Sequence, residues 1–194
     1  RLARQLQSTN QELQARVREL TTIFSIGKTV TSVTDQTVLI EKILEAAGKV
    51  TSADMGWFMQ RDDASKTYLL AGMRGLPASL PVQLNQPWDD GISSLVAMSG
   101  ETLSIHGEPI KRFKISSLGQ AALIVPVKVQ KQVIGLLIML RKAPTAFTDS
   151  EQHLLQALAD YASISLSNAR MFKMIESRAQ QHQLLAESAQ AGEK

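Results

Sequence analysis

Few side chains in this sequence have the type and spacing that chemistry requires. There is no cysteine, which removes thiol nucleophiles, thiolate metal sites and thioether-linked cofactors. His106 falls in a polar segment where a haem or metal ligand is conceivable, but no His, Cys or acidic cluster with ligand spacing lies near it. A solvated histidine is the alternative. His153 and His182 lack the surroundings of a phosphorylated histidine, so we predict no metal site.

The remaining catalytic patterns are also missing from the sequence. No Ser-His-Asp set, glycine-rich phosphate loop or pair of catalytic carboxylates can be assigned. We therefore predict that the chain has no catalytic residues and is not an enzyme.

The net charge and the hydropathy of the sequence limit the classes of partner that the chain can have. The net charge of +3 comes from dispersed residues, whereas nucleic-acid binders concentrate basic side chains on one face. No apolar run reaches about 18 residues, so we expect no direct membrane insertion. The lack of cysteine fits a cytoplasmic location, which we predict. The chain starts at Arg1 within a helical pattern, and we expect it to be a segment of a longer protein with an output domain elsewhere in that parent chain.

The elements that must position any site are organised around residues 121–140, AALIVPVKVQKQVIGLLIML. In the first apolar run Leu123 and Val125 alternate with Ala122 and Ile124, the period of two that a strand requires. The second run is apolar on both faces. A strand without a polar side lies in the middle of a sheet that is covered above and below, so this hairpin is predicted to be the centre of the fold.

Further elements are predicted on either side of the hairpin. Thr34 is a candidate N-cap for one helix, and Thr148 and Glu151 match a capping box that begins a last helix without Gly or Pro before Gly192. The other predicted elements are a hairpin over residues 55–61 and 67–73, a short strand near residues 82–84, a short helix over residues 91–98, a strand over residues 102–105, and a loop with a helical turn over residues 106–119.

Residues 1–20 have the spacing of a coiled coil. Apolar residues and one asparagine recur at steps of three and four, and an asparagine within such a seam favours a two-stranded pairing. The alternative is a single helix folded back on its own domain. We predict a homodimer through the terminal helices, whose interface comprises Leu6, Asn10, Leu13, Val17, Leu20, Phe24, Leu158, Ser165 and Phe172.

The order of these motifs resembles the GAF domain family. The hairpin with Pro126 and Gly135, the last helix ending in Asn168-Ala169-Arg170, and the segments GMRGLP and DGI all resemble that family. The resemblance implies an α+β fold with a six-stranded antiparallel sheet, terminal helices on one face and a loop-covered pocket on the other, similar to GAF and PAS domains. We divide the chain into a coiled-coil signalling helix (1–20), the GAF domain (21–176) and a helical extension (177–194).

The residues with which members of the family hold their ligands can be compared with this sequence. Members that bind bilins covalently and the free methionine sulfoxide reductases use cysteines, so neither a covalent bilin nor that activity is expected. Cyclic-nucleotide-binding members carry Asn-Lys, then Phe, then Asp-Glu. Lys142 and Phe147 match, but Arg141 replaces the Asn, and the acidic pair is split between Asp149 and Glu151. We expect no cyclic nucleotide, and the cofactor stays unidentified.

Two functions from different classes follow. In the first, the domain is a regulatory sensor that binds an unidentified small molecule over the sheet and relays the change through dimeric helices. In the second, it is a ligand-free dimerisation and relay module. The same apolar side chains could line a pocket or form plain core. The predicted pocket residues are Trp57, Met59, Trp88, Ile105, Phe113, Leu123 and Val125.

Overall fold

A computed structural model describes residues 35–191, with side chains as far as residue 181, together with residues 11, 12, 15, 16, 18 and 22. Within residues 35–191 the helices are α1 (Gln36–Thr51), α2 (Ser93–Ser99) and α3 (Asp149–Ala191). The strands are β1 (Met55–Arg61), β2 (Tyr68–Arg74), β3 (Leu103–His106), β4 (Ala121–Val129) and β5 (Gln132–Arg141). They form one antiparallel sheet in the order β2-β1-β5-β4-β3. The α+β class is therefore confirmed.

The predicted central hairpin occupies the centre of this sheet. Strand β5 pairs with β4 on one side and β1 on the other, as its two apolar faces require. The two residues that connect β4 to β5, Gln130 and Lys131, both have positive φ, at 48° and 72°. Positive φ at both central positions gives a turn whose twist matches that of the strands.

Two hydrophobic cores lie on the two faces of the sheet. Helices α1 and α3 contact each other and cover one face, burying Leu39, Ile43, Leu155 and Leu158. We call it the helix face. The other face is covered by α2, by 3-10 turns at Glu108–Arg112 and Lys114–Ser117, and by loop residues. We call it the loop face.

The sheet of the described residues has five strands, so the prediction of six is wrong. The segment predicted as the extra strand, residues 82–84, has no strand structure. It is followed by a short contact with the edge of β2, through the Leu69–Pro87 bridge and the hydrogen bond from the Asn85 N–H to the Leu70 carbonyl. Pairing does not extend because Pro87 has no N–H to donate and Asn85 turns the chain with a φ of 62°.

The helix ends show why the chain folds locally as it does. The carboxylate of Asp35 accepts hydrogen bonds from the N–H groups of Thr37 and Val38, so Asp35 caps α1 and the predicted cap, Thr34, is one residue too early. At α3 the predicted capping box is confirmed. Thr148 Oγ1 accepts from the Glu151 N–H at 3.2 Å, and Glu151 accepts from the Thr148 N–H at 2.8 Å.

Candidate functional site

The loop face brings together five of the seven predicted pocket residues. Trp57 and Met59 are fully buried in its core, and Trp88, Ile105 and Phe113 pack against that core. The rings of Trp57 and Trp88 meet with their centroids 4.9 Å apart and their planes tilted by 50°. These side chains therefore pack together on the face of the sheet where the ligand was predicted.

Leu123 and Val125 do not belong to this group, and their prediction as pocket residues is wrong. Both are buried in the core of the helix face. Trp57 pairs with Ile138, which pairs in turn with Ile124, and residues in one row across a sheet share a face. Leu123 and Val125 flank Ile124 in the chain and therefore point to the opposite face.

A buried carboxylate organises the covering of the loop face. Asp90 is 3% exposed, and one of its oxygens accepts from the N–H groups of Ile92 at 3.0 Å and Ser93 at 2.8 Å. The other oxygen accepts from Trp57 Nε1 at 3.2 Å and from the Ser93 hydroxyl. The carboxylate thus joins the start of α2 to the centre of the sheet, and all four of its contacts are internal.

The residues compared with the cyclic-nucleotide motif have structural contacts. Arg141 donates to the carbonyls of Thr51 and Ala146 and forms an ion pair with Glu151, while its guanidinium lies 4.2 Å from the centroid of the Phe147 ring. Its side chain is 11% exposed and that of Glu151 is 18% exposed. This cluster ties the end of α1 to the start of α3, and Phe147 is buried within it.

Part of the predicted dimer interface is contradicted by burial. Leu158 and Ser165 are each 1% exposed because they face the core of their own domain, so they cannot contact a second copy. Phe172 is 56% exposed and stays a candidate. The predicted residues of the first helix, namely Leu6, Asn10, Leu13, Val17, Leu20 and Phe24, lie outside the described residues.

A different stripe of α3 is mostly exposed and mostly apolar. Tyr161, Ile164, Asn168, Met171 and Ile175 follow one another at steps of three and four residues, which places them on one side of a helix. Ile164, Met171 and Ile175 are 55%, 58% and 66% exposed. We call this set the outer seam. It lies away from the buried side of the helix, and it has the heptad spacing of a coiled coil.

The histidines and acidic residues of the described part of the chain form no group of three that could hold a metal ion. His106 is the exposed last residue of β3 rather than part of a loop, and His153 is exposed near the start of α3. The side chain of His182 lies outside the described residues. In the same part of the chain, no helix is both long enough and apolar enough to cross a membrane.

A cleft of about 650 Å³ lies beside the β1–β2 hairpin, between the hairpin and the stretch of α3 that leaves the domain. Its lining comes from α1, the hairpin, the loop at Asn85 and α3. Sequence reasoning missed this cleft because its walls come from four segments that are far apart in the chain, and no local spacing marks them.

Comparison with known proteins gives consistent results. A family model described as GAF domain matches residues 33–167. The GAF domain of a phosphoenolpyruvate-protein phosphotransferase from Acinetobacter superposes with a TM-score of 0.69 at 20% identity, over 79% of this chain and 95% of that chain. No curated protein matches the sequence.

Two further structures have the same fold. The GAF domain of a proposed sensor histidine kinase from Pseudomonas syringae pv. tomato has a TM-score of 0.64 at 14% identity, over 88% of this chain and 99% of that chain. The free methionine-R-sulfoxide reductase from Neisseria meningitidis, solved with its substrate, has a TM-score of 0.66 at 18% identity, over 79% of this chain and 90% of that chain. At these identities the likeness concerns the fold alone.

Proposed function

The chain belongs to the GAF domain family, whose members are sensory and regulatory modules of signalling proteins, and we propose that this one is a dimeric relay. In this proposal two copies pair along α3 and the paired helices pass a conformational change to an output domain of the parent chain. The proposal includes no catalytic activity and no nucleic-acid partner.

The outer seam is the observation that carries this proposal. Helix α3 runs for 43 residues, and beyond Arg170 its described side chains are exposed. An isolated helix with an exposed apolar stripe gains stability when a partner covers the stripe. Asn168 within the seam can pair with the same residue of a second parallel helix, which favours two strands in fixed register. A second copy of this chain supplies that partner.

The filled loop face favours relay without a ligand over the sheet. A ligand pocket is a concavity with a few convergent polar groups, and here Trp57, Trp88 and Phe113 pack into the core at that place. Asp90 is a buried carboxylate on this face, and its four hydrogen bonds all come from groups of the protein itself rather than from a ligand. Sensing over the sheet is therefore the weaker of the two functions.

We expect light scattering to give a dimer, with twice the chain mass of 21.2 kDa, at tens of micromolar protein. Replacing Ile164 with Asp should raise the dimer Kd at least about tenfold, because a charge in a closed apolar seam costs more than about 1.4 kcal/mol. The matched control is Met98→Asp, which changes an exposed methionine of α2 and should leave the dimer intact. The proposal would be contradicted if the chain without substitutions were a monomer, or if the Ile164→Asp variant dimerised as tightly as that chain.

The relay itself predicts that helical phase matters more than length. Inserting seven residues after Ser177 of the parent protein restores the heptad face, whereas inserting four rotates the helix downstream by roughly 40°. We expect the seven-residue insertion to keep regulated output and the four-residue insertion to lock output on or off, because a packed bundle has discrete arrangements. If an activity assay shows normal regulation with both insertions, α3 is a passive tether.

A further inference from the structure

The 650 Å³ cleft lies where a ligand would touch both the sheet and the departing helix. One wall is the end of the β1–β2 hairpin, and the other is one side of α3 from Arg170 to Ser177. The volume is within the range of about 300–1,000 Å³ that small-molecule sites occupy. The cleft is on the edge of the domain, distinct from the filled space over the loop face.

Charge in the cleft favours an anion. Three cationic side chains line it, Arg61, Arg170 and Lys173, against the carboxylates of Asp62 and Asp63. The hydroxyl of Ser65, followed by its N–H, holds the pKa of the Asp62 carboxyl below its usual range, and the charge of Arg170 acts in the same direction, so Asp62 is ionised at neutral pH. The three cations still outnumber the two carboxylates, and of these two only Asp63 forms an ion pair with one of them.

The pair between Arg170 and Asp63 is loose. The distance from Arg170 Nη1 to Asp63 Oδ2 is 3.5 Å, and the Asp63 side chain is 76% exposed, whereas a charge-assisted hydrogen bond is about 2.7–2.9 Å long. Arg170 Nη2 also donates to the Arg61 carbonyl at 3.2 Å. A guanidinium has five N–H donors, and that of Arg170 is held at the hairpin with its side chain only 28% exposed. A ligand carboxylate or phosphate can therefore displace Asp63 with better geometry.

The rest of the lining is suited to an apolar body. Leu69 and Ala71 line the cleft from β2, and Met174 lines it from α3. Methionine adapts its shape to irregular ligands. We propose that the cleft binds a small amphipathic organic anion, with its carboxylate or phosphate group on Arg170 and Lys173 and its apolar part against Leu69, Ala71 and Met174.

Such a ligand would connect the hairpin to α3 at the point where the helix leaves the domain. It would replace the loose Asp63 contact by a bridge between Arg170 and Lys173, which are three residues apart on one side of the helix. This consequence rests on the proposed relay. The binding itself does not, because each protomer has its own cleft.

The test is a titration of the isotope-labelled full chain followed by amide NMR, with hexyl phosphate, hexanoate and inorganic phosphate as probes. We expect hexyl phosphate and hexanoate to shift the amides of residues 60–64 and 170–177, with inorganic phosphate binding at least about fivefold more weakly because it has no apolar part. Arg170→Gln should lower the affinity for hexyl phosphate at least tenfold. Met174→Ala should lower the affinity for hexyl phosphate but not the affinity for inorganic phosphate.

The matched control is Lys131→Gln, which removes a cation from a second cleft of about 400 Å³ at the tip of the β4–β5 hairpin. It should leave the affinity for hexyl phosphate unchanged. Shifts that cluster at Lys66, Lys131 and Gln132 would place the anion in that second cleft and overturn the proposal, as would the absence of shifts with all three probes. Light scattering of Arg170→Gln should still give a dimer, which separates failure of this inference from failure of the proposed relay.

Discussion

Replacing Asp90 with alanine is expected to lower the free energy of unfolding by about 4 kcal/mol. The substitution removes the acceptor of four hydrogen bonds and leaves the Trp57 indole N–H and the Ser93 hydroxyl inside a core where water does not reach them. Each buried donor without a partner costs about 1–3 kcal/mol, and the N–H groups of Ile92 and Ser93 lose their acceptor as well. Urea denaturation followed by tryptophan fluorescence measures the change.

Two controls separate the hydrogen bonds of Asp90 from its charge. Asp90→Asn keeps an oxygen for the N–H groups of α2 but turns its NH₂ group towards the donors of Trp57 and Ser93, so we expect it to recover only part of the loss. Asp89→Ala removes the neighbouring carboxylate, which is exposed and pairs with Lys114 at the surface, and should have a much smaller effect. Equal losses for Asp89→Ala and Asp90→Ala would show that the buried network contributes little.

The second large effect is expected at Arg141. Arg141→Ala should lower the free energy of unfolding by about 3 kcal/mol, because removing one partner of a buried ion pair leaves the other without compensation. Here Glu151 loses its partner, the carbonyls of Thr51 and Ala146 lose a donor, and the ring of Phe147 loses its cover. Chemical denaturation of the purified variant checks the value.

Arg141→Lys tests whether geometry or charge dominates in this cluster. Lysine keeps the charge but cannot present a planar set of N–H groups to several acceptors, so we expect it to restore less than half of the loss. The adjacent Lys142 provides the control, since it contacts Asp54 through its backbone N–H at 2.8 Å. Lys142→Ala should be close to neutral. A fully stable Arg141→Lys variant would mean that the charge alone matters.

The sequence by itself determined most of the elements and some of their local ends. The alternation in β4, the two apolar faces of β5 and the capping box at Thr148 are each confirmed, because each depends on residues that are close in the chain. The family followed from the order of these elements. Such patterns are set by the periods of strand and helix and by backbone hydrogen-bonding groups that need a partner.

Only the tertiary structure decided which face of each element meets which neighbour. Helix α3 has two apolar sides, and the sequence alone favoured Leu158 and Ser165 for the dimer. In the fold, the side with the small residues Ala159, Ala162 and Ala169 lies against the sheet and α1, since small side chains let a helix approach closely and fill the core without voids. The outer seam is what remains exposed.

Contacts between distant segments also explain why two pocket residues were assigned to the wrong face of the sheet and why the cleft was missed. Leu123 and Val125 were assigned to the wrong face because the face depends on the row that joins Trp57, Ile138 and Ile124 across three strands. The cleft at Arg170 depends on four segments meeting at one edge of the sheet. Strand register and the docking of helices are fixed by contacts between residues far apart in the chain, and the periodicity of a single segment does not contain them.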